Sequence, residues 1–162
     1  MRVLVAGIGN IFFADDGFGC EVAQLLAREP ASPDVAIEDF GIRGLHLAYE
    51  LLAGYDRAIL VDAAPRGGAP GTLYVIEPEV EVGGAAPDAH RMDVQNVFAF
   101  LRMLDGAPPP LTVVGCEPAT TEPGMGLSAA VGAAVAPAAA LVRRLLAEQR
   151  AALVPQPSGG LP

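Results

Sequence analysis

Three short runs constrain the fold of this chain more than any other feature: Val3-Leu4-Val5-Ala6, Ala58-Ile59-Leu60-Val61 and Leu111-Thr112-Val113-Val114. A strand with one wet face alternates apolar and polar residues. Runs of four with little or no alternation belong to strands covered on both faces, as in a parallel sheet sandwiched by helices. The segments between them support this. Residues 17–29 carry Val22, Leu25 and Leu26 at helical spacing, residues 35–40 read as a strand, and residues 45–52 as a second helix. Residues 72–76 form a further strand after the turn-rich stretch 65–71. Residues 93–104 form an amphipathic helix with Val94, Val97, Phe98 and Leu101 on one face. Strands alternating with helices imply a parallel α/β arrangement.

At 162 residues the chain has the size of one domain, expected over residues 1–152, with a flexible tail at 153–162. Residues 77–89, acidic, aperiodic and rich in glycine and proline, are expected to form a mobile surface loop. The apolar stretch 127–142, interrupted by Ser128, Gly132 and Pro137, is too short to cross a bilayer comfortably and reads as a buried helix. Ser128 is expected to cap it, and Pro137 to bend it without ending it. Ten basic against nineteen acidic side chains give a net charge of −9. That surface repels phosphates, so neither nucleic acid nor an anionic membrane is an expected partner. Two cysteines, Cys20 and Cys116, cannot staple a domain of this size and fit a reducing compartment. Met1-Arg2 runs straight into the first strand with no secretory leader, so a cytoplasmic location is expected.

In parallel α/β sheets, ligands sit beyond the carboxyl ends of the strands. Three chemically useful residues map there: Asp16 after the first strand and its glycine loop, Asp62 at the end of Leu60-Val61-Asp62-Ala63, and His90 ahead of the helix that starts near Asp93. Two carboxylates and an imidazole suit a divalent metal such as zinc or nickel, or acid–base work without one. Each also has an ordinary structural reading. Asp62 could cap a turn, Asp16 could cap the helix starting at Gly17, and His90 could be an exposed loop histidine. His46, at a helix start, is left as structural. Gly7-Ile8-Gly9-Asn10 lacks the third glycine of a dinucleotide loop, since position 12 is Phe12. Its glycines are expected instead to let the backbone approach Asp16 and Asp62 closely. Cys116 fits an inert core thiol better than a nucleophile paired with His90. Ser128 is accounted for by its cap.

In order along the chain stand Gly7-Ile8-Gly9-Asn10, Asp15-Asp16-Gly17-Phe18-Gly19, Asp39-Phe40-Gly41 with Gly44, Leu60-Val61-Asp62-Ala63, Pro70-Gly71-Thr72, His90, Gly115-Cys116-Glu117-Pro118 and Gly126-Leu127-Ser128. Together they resemble the hydrogenase maturation proteases, endopeptidases that trim the large subunit of nickel–iron hydrogenases. The resemblance covers about the first 140 positions. It implies an α/β fold, a three-layer α/β/α sandwich around a mostly parallel, twisted five-stranded sheet. It places Asp16, Asp62 and His90 at the catalytic, nickel-recognising positions, and Gly9, Asn10, Asp39 and Gly41 at substrate-binding ones. The family motif at Asp39 usually reads Asp-Gly-Gly-Thr, and here the segment is Asp39-Phe40-Gly41-Ile42.

The resemblance also implies a reaction. The substrate is the large-subunit precursor with its C-terminal extension, cut after nickel insertion. The nickel is supplied by the substrate, and the protease acts as a monomer. The alternative within the same resemblance is a nickel-sensing chaperone that holds the precursor without cutting. A small-molecule hydrolase or nucleotide-binding protein would rest on the glycine loop alone.

Overall fold

The computed structural model describes residues 1–80 and 83–153. Its strands are β1 (Val3–Ile8), β2 (Val35–Gly41), β3 (Arg57–Ala63), β4 (Leu73–Ile76) and β5 (Leu111–Cys116). Its helices are α1 (Phe18–Ala27), α2 (Gly44–Leu51), α3 (Val94–Met103) and α4 (Ala129–Ala151), with a 3-10 turn at Ala14–Gly17 leading into α1. The sheet order is β2-β1-β3-β5-β4. All neighbours are parallel except β4, which runs antiparallel to β5. The expected mostly parallel five-stranded sandwich is the observed one.

Successive side chains of a strand point to opposite faces, and the core divides accordingly. Leu4, Ala6, Ile8 and Leu60 pack with Leu47, Leu51, Val97 and Leu101 of α2 and α3. Val5, Ile59, Val61 and Val114 pack with Phe18, Val22, Val131 and Val142 of α1 and α4. The uninterrupted apolar runs are the strands clad on both sides.

Strand order places the chemistry. From β1 the chain moves outward to β2, then returns to lay β3 on the other side of β1. The connections after β1 and β3 therefore diverge to opposite sides, which opens a crevice at the carboxyl ends of these two strands. Gly7 pairs with Val61 and with Asp39, and Ile8 with Gly41, so the ends of β1, β2 and β3 share one edge.

Two expectations about the last helix change. Ser128 occupies the N-cap position of α4, but its hydroxyl does not cap. It donates instead to Asp15 Oδ2 at 2.9 Å. As expected, Pro137 does not end the helix, but at 23 residues it outruns the expected stretch, and an 18-residue window of it has a mean hydropathy of 1.5, enough by length and composition to cross a membrane. One face of it, with Val131, Ala134, Ala138, Ala139 and Val142, is buried against α1 and the sheet. The apolar stretch ends at 142, whereas the helix runs one further charged segment through Arg143, Arg144 and Arg150. The expected loop at 77–89 holds neither helix nor strand over its described residues, and 81 and 82 lie outside them. From residue 154 onward the expected tail also lies outside the described residues.

One contact sets how close α1 lies to the sheet. A Cβ on Gly19 would come within 2.0 Å of the Val61 carbonyl oxygen and 2.5 Å of that of Ile8. Helix backbone thus rests directly on the ends of β1 and β3, and no neighbouring side chain could yield to make room. Gly19→Ala should destabilise the fold by about 3 kcal/mol, read as a lowered urea midpoint in equilibrium unfolding. An unchanged midpoint would mean that this close packing does not set the helix position.

Candidate active site

The loop after β1 is built around Asp16. Gly9 has φ +134°, a conformation that L side chains rarely adopt, and a Cβ there would lie 1.9 Å from the Asp16 carbonyl oxygen. The Asn10 backbone N–H donates to Asp16 Oδ2 at 2.8 Å, and Asn10 Oδ1 accepts from Phe12 N–H at 2.9 Å. Asp16 therefore does not cap α1, whose N-cap position is Gly17. Gly9 N–H donates to the Gly41 carbonyl at 3.0 Å. Gly41, at φ +54°, donates its own N–H to Asp39 Oδ1 at 3.0 Å. Asp39 Oδ2 accepts from Gln24 Nε2 at 2.9 Å. Gly9, Asn10, Asp39 and Gly41 thus form one hydrogen-bonded rim beside Asp16.

Its neighbour Asp15 faces the other way and is fully buried. Asp15 Oδ2 accepts from Ala119 N–H at 2.8 Å, Thr120 N–H at 3.1 Å and the Ser128 hydroxyl, while Oδ1 accepts from Ser128 N–H at 2.7 Å. Burial alone would raise its pKa, but the backbone N–H groups of Ser128, Thr120 and Ala119 and the Ser128 hydroxyl outweigh that and lower it.

Asp62 has the opposite balance. It is 6% exposed, and its Oδ1 has no hydrogen-bond partner. Burial, then the Asp16 charge, raise its pKa well above the ordinary range; Ala63 N–H opposes them and the Asp93 charge adds to them. Half-buried Asp16 is raised as well, by burial against the Asn10 N–H, with Asp93 again adding. Three carboxylates therefore share one field at the β1/β3 crevice. Asp93 is the N-cap of α3, accepting Asn96 N–H at 2.9 Å through Oδ1 and the Arg91 guanidinium through Oδ2 at 2.6 and 3.0 Å. An open groove of about 520 Å³ is lined by Asp62, Ile76, Glu77, Arg91, Asp93 and Val113, among others. An unpaired buried carboxylate oxygen beside a second carboxylate is stabilised by a cation, so the donor set fits a metal ion with oxygen affinity.

His90 is placed differently. It stands exposed on a turn before α3, its backbone N–H donating to Asp88 Oδ1 at 2.8 Å. Its neighbour Arg91 lines the Asp62 groove, and Ala89 lines a second hollow with Ile42, Leu45 and Tyr49. Among the described residues no three His, Cys, Asp or Glu side chains gather in a geometry that could hold a metal ion. The fold brings Asp16 and Asp62 together, adds Asp93, and does not bring the exposed His90 into that groove.

The alternative nucleophiles are disarmed. Both cysteines are free and buried. The Cys116 thiol is pushed up to about 11 by burial, with the Asp15 and Glu117 charges adding. That of Cys20 is driven further up by burial, then by Asp39, Asp62 and Asp16. Thiolate is the reactive form, so neither thiol is activated. Ser128 is engaged by Asp15.

Four polar residues were given no role of their own by the sequence reading. Asp15 and Asp93 serve as described. Glu117 accepts from Arg66 N–H, Gly67 N–H and the Tyr74 hydroxyl, pinning the turn before β4. Asn96 carried a usable signal, a polar residue among Val94, Val97 and Phe98, and it is buried.

The family model for hydrogenase maturation proteases matches residues 20–145. The hydrogenase 2 maturation protease of Escherichia coli is 32% identical over 162 residues, covering 96% of this chain and 97% of that protein. The hydrogenase expression/formation protein HupD of Bradyrhizobium diazoefficiens is 37% identical over 152 residues, covering 91% and 79%. Among solved structures, the hydrogenase maturating endopeptidase HybD from E. coli matches with a TM-score of 0.73 at 30% identity, over 92% of this chain and 94% of that one. The [NiFe] hydrogenase maturation protease HycI from Thermococcus kodakarensis matches with a TM-score of 0.68 at 25% identity, over 90% and 92%.

The electrostatics of Asp62 have a measurable consequence. A carboxyl with a raised pKa in the folded state binds more protons folded than unfolded over the range between its unfolded and folded pKa values. Stability therefore falls as pH rises through that range. Asp62→Asn should remove this slope and stabilise the metal-free protein at neutral pH by on the order of 1 kcal/mol. Urea unfolding at a series of pH values, compared with wild type, checks both. A neutral-pH loss of stability would contradict the unpaired, buried carboxylate.

Proposed function

Because the chain belongs to the hydrogenase maturation protease family, and with it to the peptide hydrolases, we propose that it removes the C-terminal extension of a nickel–iron hydrogenase large-subunit precursor after nickel insertion. The observation that carries this reading is Asp62 Oδ1, buried and without a partner in the field of Asp16. Such a pair is costly to keep ionised until a cation meets it. Nickel carried by the precursor is that cation. It accepts mixed oxygen and nitrogen donors, so Asp16 and Asp62 meet it from the crevice and His90 from the exposed turn.

Recognition and hydrolysis are separate tasks. With both thiols raised by burial and Ser128 bound to Asp15, water is the attacking group in this reading. The carboxyls of Asp16 and Asp62, raised above their ordinary values by burial, are suited to take its proton. The precursor's backbone meets the rim of Gly9, Asn10, Asp39 and Gly41. Exposed Phe12 and Ile42 on the same two loops supply apolar contact. The protein acts in the cytoplasm, where the precursor is assembled, as a monomer in a one-to-one encounter.

The test is a cleavage assay with purified precursor, nickel-loaded or nickel-free, read by mass spectrometry. Wild type should cut only the loaded form, and His90→Ala and Asp62→Ala should each slow cutting by roughly a hundredfold or more with unchanged circular dichroism. Stable binding of loaded precursor without any cutting would replace this reading by a non-cleaving chaperone. Normal cutting by His90→Ala would remove that residue from the site.

A further inference from the structure

The turn that carries His90 is held by a single buried side chain. Asn96, on α3, is 5% exposed. Its Oδ1 accepts from Asp88 N–H at 2.9 Å, and its Nδ2 donates to the Asp88 carbonyl at 2.7 Å and to the Arg91 carbonyl. The partners settle the orientation of the amide. Two carbonyls can only be met by its NH₂ and one N–H only by its oxygen, so no aspartate or leucine of similar size makes the same set. Within the turn, Arg91 N–H donates to the Asp88 carbonyl at 3.2 Å, and His90 N–H to Asp88 Oδ1. The Arg91 guanidinium reaches Asp93, whose other oxygen caps the same helix at Asn96 N–H. Residues 88–91 are thereby bound on both sides of His90 to α3, and α3 is anchored in the core through Val97, Phe98 and Leu101.

We infer that Asn96 is the positioning residue for His90: its amide, bonded to Asp88 and Arg91 on either side, holds the imidazole where it meets the precursor's metal. This rests on the assignment of His90 to the site and adds to it the group that makes an exposed turn residue a preorganised ligand. An imidazole on an unconstrained loop would have to be ordered at each encounter, at the expense of affinity. Residues that orient a ligand from behind are commonly worth ten- to hundredfold in metal affinity.

The experiment compares wild type with Asn96→Ala, His90→Ala and Val97→Ala, the last a core truncation on the same helix that leaves the turn's bonds in place. Cleavage kinetics on nickel-loaded precursor are paired with amide hydrogen exchange over residues 88–91. Asn96→Ala should raise KM about tenfold or more with kcat changed far less, and should speed exchange at His90 and Arg91. A general loss of folded protein would lower kcat and leave KM alone, which is the pattern expected of Val97→Ala if it has any effect. Unchanged KM, or unchanged exchange, in Asn96→Ala while His90→Ala is impaired would overturn the positioning role and leave the site standing. Normal cleavage by His90→Ala would take down the assignment of His90 and this inference with it.

Discussion

The buried carboxylate of Asp15 joins three parts of the chain that are distant in sequence. Its two oxygens collect N–H groups from Ala119, Thr120 and Ser128 and the Ser128 hydroxyl. The loop after β1, the loop after β5 and the start of α4 therefore meet at one point. A buried charge is tolerated when it is this fully hydrogen-bonded. Removing it would leave three backbone N–H groups without a partner and free the 3-10 turn on which Asp16 sits. The geometry of the crevice depends on that anchor and on the glycine contact that lets α1 rest on the ends of β1 and β3.

Neighbouring carboxylates in this fold are driven in opposite directions by what surrounds them. Asp15 is lowered by donors, whereas Asp62 is raised by burial and by the charge of Asp16. The first arrangement stabilises the fold and the second works against it. Unsatisfied buried polar groups are rare and cluster where a protein meets a ligand. In the proposed reading, a metal-loaded precursor is the form that offsets the repulsion between Asp16 and Asp62.

The third member of the proposed site is built on another plan. Asp16 and Asp62 are set by the sheet, while His90 belongs to a turn that borrows its rigidity from α3 through Asn96. In the proposed reading, carboxylates in a crevice and an imidazole on an exposed turn divide the work between an inner acceptor and an outer one. That division suits an ion delivered on the surface of another protein.

The chain's local pattern determined the fold class and the sheet edge that carries the candidate site. Short apolar runs without alternation fit strands covered on both faces; Asp62 follows such a run directly, and Asp16 follows one across its glycine loop. The glycines of the first loop announced a close approach, which Gly9 makes to Asp16. What the pattern could not decide is which partner each polar group finds. Ser128 reads as a cap and instead binds Asp15, 113 positions away. Asp15 and Asp16 are identical and adjacent in sequence, yet one is an anchor and the other faces the crevice. Asp93 and Asn96 gain their roles only because α3 delivers them beside Asp62 and behind His90. Propensity and periodicity are properties of neighbouring residues, so they can be read along the chain. Hydrogen-bond satisfaction and electrostatic fields depend on groups brought together across the sheet, and only the tertiary structure decides those.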